Sequence, residues 1–212
     1  MKRYNSHILA VTSTAVNAAG DFADKKFIQF DDTMESLPFH SNNLWVGPRE
    51  QLELMPSFKQ IIPYVAVIRD EKFLVYKRTN KGGEARLHDQ LSIGFGGHID
   101  VGDILDKNNG ETIDLEATVG NAVTREISEE LEAELTAFEA YGMILDESNE
   151  VGKVHLGIAM IARVNGMVLS KEDQIELVGF KSVEEIIANI DSYESWSQII
   201  INHIGGVNKE TA

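Results

Sequence analysis

Apolar residues return every fourth position at Val119, Val123, Ile127 and Leu131, the spacing that stacks side chains on one face of a helix. This predicts a helix that begins at Asp114 or Glu116 and reaches about Glu134. Upstream the pattern is that of strands, short apolar runs bounded by turn-forming residues. Residues 61–68 read as a buried strand in which Pro63 favours an edge or a strand start. Asp70-Glu71-Lys72 reads as the turn of a hairpin, 73–78 as its second arm, and 91–95 as a further strand. Downstream, 138–145 and 154–164 read as strands around an acidic, polar loop at 146–152, and 175–180 as a shorter one. Ser182, followed by Glu184 and Glu185, marks a helix start, because a serine oxygen and early acids satisfy the open N–H groups and the positive end of the helix dipole. A last helix over 193–204 carries Trp196 and Ile199-Ile200-Ile201. Strands interleaved with one central and two terminal helices predict an α/β fold with a mixed sheet between helical layers.

The first part of the chain is less regular. Residues 7–11, 27–30 and 44–46 are short strand candidates, and Gly47-Pro48 reads as a turn. The expected organisation is an N-terminal extension over 1–58, packed on a main domain over 59–212. At 212 residues, 43% hydrophobic and 25% charged, the chain suits a globular domain with a sizeable core and an extension. A formal net charge of -15 sets it against a nucleic-acid polymer or an anionic membrane as partner, since both would be repelled. A small phosphorylated ligand that arrives with a cation is not excluded. With no cysteine, disulfides and thiol chemistry are ruled out. No segment approaches the roughly 18 apolar residues of a membrane span, and Asn5, Ser6 and Thr12 interrupt any secretory leader. A cytoplasmic location is therefore expected.

The chemistry concentrates in Arg125-Glu126-Ile127-Ser128-Glu129-Glu130. On a helix, Glu126 neighbours both Glu129 and Glu130, and like charges so placed cost about 0.2–0.5 kcal/mol per pair. Such a trio invites a hard divalent cation. Acidic runs on helices are more often solvated faces, but these glutamates lie beside the apolar stripe and not opposite it, where they can reach a cleft at the edge of the core. Upstream stands a glycine-rich turn, Gly96-Gly97-His98-Ile99-Asp100-Val101-Gly102-Asp103.

Together the turn and the helix resemble the signature of the Nudix hydrolase superfamily, G-x5-E-x7-R-E-U-x-E-E-x-G-U, where U is a bulky aliphatic residue. Gly97 takes the first glycine, Asp103 the first glutamate, and residues 125–130 complete the R-E-U-x-E-E core. Three departures stand out. Residues 104–124 place 21 positions where the pattern has 7, an insertion around 104–113 whose Asn108-Asn109-Gly110 is turn-forming. A longer surface loop costs little, roughly 0.6 kcal/mol per doubling. Asp103 is one methylene shorter than glutamate, and Glu132 stands where the pattern's glycine would end the helix. Glutamate disfavours that left-handed cap, so the helix is expected to run on toward Leu135.

The resemblance implies an α/β/α sandwich with a mixed central sheet and a metal-dependent enzyme that cleaves a phosphoanhydride bond in a nucleoside diphosphate derivative or similar small phosphorylated compound. It implies Mg2+ or Mn2+ held by Glu126, Glu129, Glu130 and the Gly97 carbonyl. One glutamate would act as general base, and Arg125 would ion-pair with a glutamate and hold it in place. His98 and Arg78 are candidates for phosphate contact, with Lys77 beside them, and a further acid could come from Glu147, Glu150, Asp173 or Glu176. The remaining histidines show no zinc-like spacing. Homodimerisation is a further expectation of the family. Isopentenyl diphosphate isomerase shares the fold, but its chemistry resembles protonation by a cysteine that is absent here. The non-catalytic alternative is a Nudix-like ligand sensor or interaction domain.

Overall fold

The structure, a computed structural model, describes residues 6–22, 25–31, 34, 37–79, 90–107 and 112–210, the last four of these as backbone only. In chain order the elements begin with β1 (His7–Thr12), α1 (Ser13–Ala19), β2 (Phe27–Gln29), β3 (Leu44–Pro48) and α2 (Arg49–Leu52). The hairpin strands β4 (Phe58–Arg69) and β5 (Lys72–Arg78) follow, then the short β6 (Leu91–Ser92), β7 (Gly94–Phe95), β8 (Asp106–Lys107) and β9 (Thr112–Ile113). Helix α3 (Leu115–Glu130) leads into β10 (Leu131–Ile144), β11 (His155–Ser170), β12 (Ile175–Lys181), α4 (Val183–Ile187) and α5 (Ser195–Glu210). The long strands belong to a mixed α/β fold with one large sheet, in the order β12-β5-β4-β11-β10-β2. The chain divides into two compact units.

The first unit comprises residues 1–64, 96–125 and 140–158. β1 pairs antiparallel with β3, His7 opposite Pro48, and with the start of β4, Ala10 opposite Gln60. Ile8, Leu9, Ala10 and Val11 are all fully buried, and a strand buried on both faces reads as a continuous apolar run. Gly47-Pro48, expected as a turn, instead ends β3. β3 pairs with β1, and an edge strand tolerates proline's missing N–H. β2 pairs with the end of β10, Met143 opposite Ile28. The insertion carries the two short strands β8 and β9, which pair Asp106 with Ile113, and its turn at 108–111 lies outside the described residues.

The second unit comprises residues 65–95, 126–139 and 159–212. The β4–β5 hairpin turns at Asp70 and Glu71, both at positive φ (51° and 57°), as a tight two-residue turn demands. β5 pairs with β12 through a bulge between Leu177 and Gly179. The expected strand over 91–95 is broken in two. β6 pairs with β5 and β7 with β4, and at the break Ile93 N–H donates to Ser197 Oγ at 3.0 Å. Pro63, expected at an edge or strand start, sits inside β4, between the residues paired to β1 and those paired to β7, so neither ladder needs its N–H.

Helix α3 starts as the pattern predicts, with Asp114 Oδ1 accepting from Ala117 N–H at 3.1 Å. Val119, Val123 and Ile127 are buried along one face. Its end differs from expectation. The helix stops at Glu130 and the chain enters β10 at Leu131, so it does not run on to Glu134 or Leu135. Residues 131–135 alternate buried or half-buried with exposed, the period of a strand. Glu130 C=O accepts from Lys171 N–H at 2.9 Å, and Ser128 C=O from Lys171 Nζ at 2.5 Å. These contacts close the last turn without the glycine. At Ser182 the expected cap is present, a reciprocal capping box with Glu185.

Candidate functional site

The glycine bend lies in the first unit. Gly96 has φ +140°, and a Cβ there would lie 2.0 Å from the Pro63 carbonyl oxygen, so only glycine lets the chain turn so close to β4. After the bend, Ile99 C=O accepts from Leu9 N–H at 2.9 Å. A single 3-10 turn over Val101–Asp103 then brings Asp103 back, where its Oδ2 accepts from Asp100 N–H at 2.9 Å. Asp103 is buried, and Arg125 holds it with both prongs of its guanidinium, Nε to Oδ1 at 2.9 Å and Nη2 to Oδ2 at 2.7 Å. Arg125 Nη2 also donates to the His98 carbonyl at 2.9 Å. Asn121 Nδ2, one turn earlier on α3, donates to the Asp103 carbonyl at 3.2 Å. A bidentate charged pair of this kind sets geometry as well as energy. The acid that Arg125 clamps is thus Asp103, at the position of the pattern's first glutamate, and Gly97 stands half-buried beside the clamped His98.

The carboxylate trio lies on the last turns of α3. Glu126 is buried, 7% exposed, and Glu129 and Glu130 are half-buried, so none of the three is a fully solvated surface acid. In the same unit Arg78 ends β5, its guanidinium 5.4 Å from the Tyr76 ring centre. Tyr76 donates its hydroxyl to the Gly94 carbonyl at 2.7 Å. Burial pushes its phenol far above the usual tyrosine range, Arg78 opposes this, and Glu194 and Glu130 add to it. Arg78 and Glu130 therefore act on the same buried phenol.

Two residues outside the motif, Gln60 and His155, meet the bend at His98. His98 Nε2 lies 2.8 Å from Gln60 Oε1 and 3.4 Å from His155 Nε2, and His155 Nδ1 lies 2.7 Å from the Val151 carbonyl. Next to Gln60, the ammonium of Lys59 is buried and held by Glu147 and by the Lys153 carbonyl. Glu150 pairs with Lys153 at 2.6 Å, and the Asp173 carbonyl accepts from Thr79 Oγ1 at 3.2 Å. Glu147 and Asp146 also line an open cavity of about 930 Å3 with Phe22, Lys25 and Lys26. Of these, Gln60, Lys59 and the partnership of His155 with His98 escape the sequence reading. Two adjacent polar residues in an otherwise apolar strand are the available signal for the first two. Nothing local links His155 to His98, 57 positions earlier.

Protein YmaB of Bacillus subtilis (strain 168) is 35% identical to this chain over 162 residues, which cover 73% of this chain and 75% of YmaB. No model of a known protein family matches. The crystal structure of Tm1382, described as "a putative Nudix hydrolase", superposes with a TM-score of 0.75 at 25% identity, covering 95% of this chain and 99% of that one. The chain belongs to the Nudix hydrolase superfamily. The Nudix signature here is carried on α3 and the glycine bend, with an insertion between its halves. Nudix hydrolases commonly use divalent metals, and the carboxylate oxygens of a buried and two half-buried glutamates on successive helical turns are the donor chemistry magnesium prefers. Among the described residues no three His, Asp or Glu side chains are gathered closely enough to enclose a metal, so the fit is one of donor type and placement on the helix. No described helix is long and apolar enough to cross a membrane.

Proposed function

We propose that this Nudix protein is a magnesium- or manganese-dependent pyrophosphohydrolase that cleaves a phosphoanhydride bond in a nucleoside diphosphate derivative or a similar small phosphorylated compound. The observation that carries the reading is the Arg125 clamp. Arg125 of α3 fastens Asp103 and the His98 carbonyl together, and Asn121 adds a tie to the Asp103 carbonyl. Holding reacting groups in place is most of what phosphoryl chemistry asks of a protein.

Glu126, Glu129 and Glu130 are the side chains that would hold the metal. A divalent cation held there supplies neutralisation of phosphoryl charge and acidification of water. One of the three glutamates takes the proton from the attacking water, and Arg78 and His98 bind phosphate oxygens. Arg125 positions the assembly through Asp103. A homodimer belongs to the same proposal and is read by light scattering.

Purified protein with magnesium should hydrolyse at least one of a panel of dinucleoside polyphosphates, nucleotide sugars, ADP-ribose and nucleoside triphosphates. Glu129→Gln and Glu130→Gln should each abolish that turnover while leaving the circular dichroism spectrum unchanged. The departures from the signature at Asp103 and Glu132 favour a second reading, a Nudix-like ligand sensor. Tight nucleotide binding with no turnover across the panel would select it.

A further inference from the structure

We propose that His98, His155 and Gln60 form a nitrogen-rich site for a borderline divalent cation such as zinc, cobalt(II) or nickel(II), different in donor chemistry from the carboxylates of α3. All three belong to the first unit. Gln60 is on the first half of β4, His98 follows the glycine bend, and His155 opens β11.

Spacing is the first argument. The two Nε2 atoms are 3.4 Å apart. Two imidazole nitrogens sharing one tetrahedral zinc, each at about 2.0–2.1 Å, stand about 3.3–3.4 Å from one another. The second argument is tautomer. A carbonyl oxygen only accepts, so the 2.7 Å contact of His155 Nδ1 with Val151 C=O puts the proton on Nδ1 and leaves the Nε2 lone pair facing His98. That backing contact is the one metal-bound histidines use to fix ring and tautomer.

The third argument is Gln60, whose side chain is fully buried. Its Oε1 lies 2.8 Å from His98 Nε2, while its Nε2 has no hydrogen-bond partner among the described residues. Turning the amide over would strand the oxygen instead, so the oxygen is the atom that faces His98. As a ligand, Oε1 completes a set of two nitrogens and one oxygen. Imidazole nitrogen selects zinc, cobalt or nickel over magnesium. With three protein donors the site is open, its remaining positions taken by water. A hydrogen-bonded cluster without metal, the His98 proton shared between Gln60 Oε1 and His155 Nε2, is the competing arrangement.

Cobalt(II) added to the metal-free full-length protein decides between them. One equivalent should bind with intense visible bands of a four- or five-coordinate ion, displaced by zinc. In isothermal titration, His98→Ala and His155→Ala should each weaken zinc binding by more than about ten-fold. The Glu129→Gln/Glu130→Gln protein should keep the site, which separates this inference from the pyrophosphohydrolase reading. Should an alanine variant fail to fold, paramagnetic shifts of the His98 and His155 ring protons in the cobalt-loaded wild type give the same answer. A spectrum no different from aqueous cobalt, zinc affinity unchanged in His155→Ala, or affinity lost in the glutamate double variant would each overturn the proposal.

Discussion

At the scale of single residues, the molecule is organised by the pairing of Arg125 with Asp103. The pair is largely removed from water, with side-chain exposures of 25% and 7%, and removing one partner of such a pair strands the other. Arg125→Met should therefore cost about 3 kcal/mol in urea unfolding. Arg125→Lys keeps the charge but loses the two-pronged contact and should lower turnover on the identified substrate by at least about ten-fold at an unchanged fold. Full activity in the lysine variant would remove the clamp from the mechanism. Asp146 offers a pH test. Burial works to raise its carboxyl, but hydrogen bonds from Lys26 and Ser148 outweigh that and hold it below the ordinary carboxylate value. A depressed folded-state value means that the stabilisation is present above the unfolded value, about pH 3.9, and is lost as pH falls through the folded one. Asp146→Asn should thus be less stable than wild type at neutral pH, with the gap closing below about pH 4. A gap that persists at about pH 2 would refute the assignment. The clamp is half legible in the sequence: the motif marks Arg125 as a residue that holds an acid, but which acid depends on a 3-10 turn that no periodicity announces.

At the scale of elements, the bend and the helix ends carry the testable weight. Gly96→Ala forces a methyl to within 2.0 Å of backbone at a φ of +140°, and should cost about 2 kcal/mol or more. At Gly102, six residues on, a methyl would meet nothing within 4 Å among the described residues, so Gly102→Ala should change the melting temperature little or raise it slightly. Equal losses at the two positions would show that close approach to Pro63 is not the cause. Ser182→Ala removes an exposed capping box and should cost about 1 kcal/mol. Element type follows from pattern at α3, β4, β5, β12 and the α4 cap. Ends do not. The stretch 131–135 satisfies both the helical four-residue spacing, through Leu131 and Leu135, and strand alternation, and in the fold it opens the strand β10.

At the scale of the whole molecule, a metal that binds the folded state adds stability by mass action. Magnesium at about 100 times its dissociation constant should add about 2.7 kcal/mol, and this increment should vanish in Glu129→Gln/Glu130→Gln. A melting temperature that does not respond to magnesium would count against the carboxylate helix as a metal site. The sequence alone was enough for the α/β class, the family signature, the apolar face of α3 and the absence of thiol chemistry. All of these are set by spacing within a short stretch or by composition. Only the tertiary structure decided that Arg125 grips Asp103, that the 91–95 run splits between two partner strands, and that His155 meets His98. Each of those depends on which distant segments fold against one another, and a contact between residues tens of positions apart leaves no period in the chain to read.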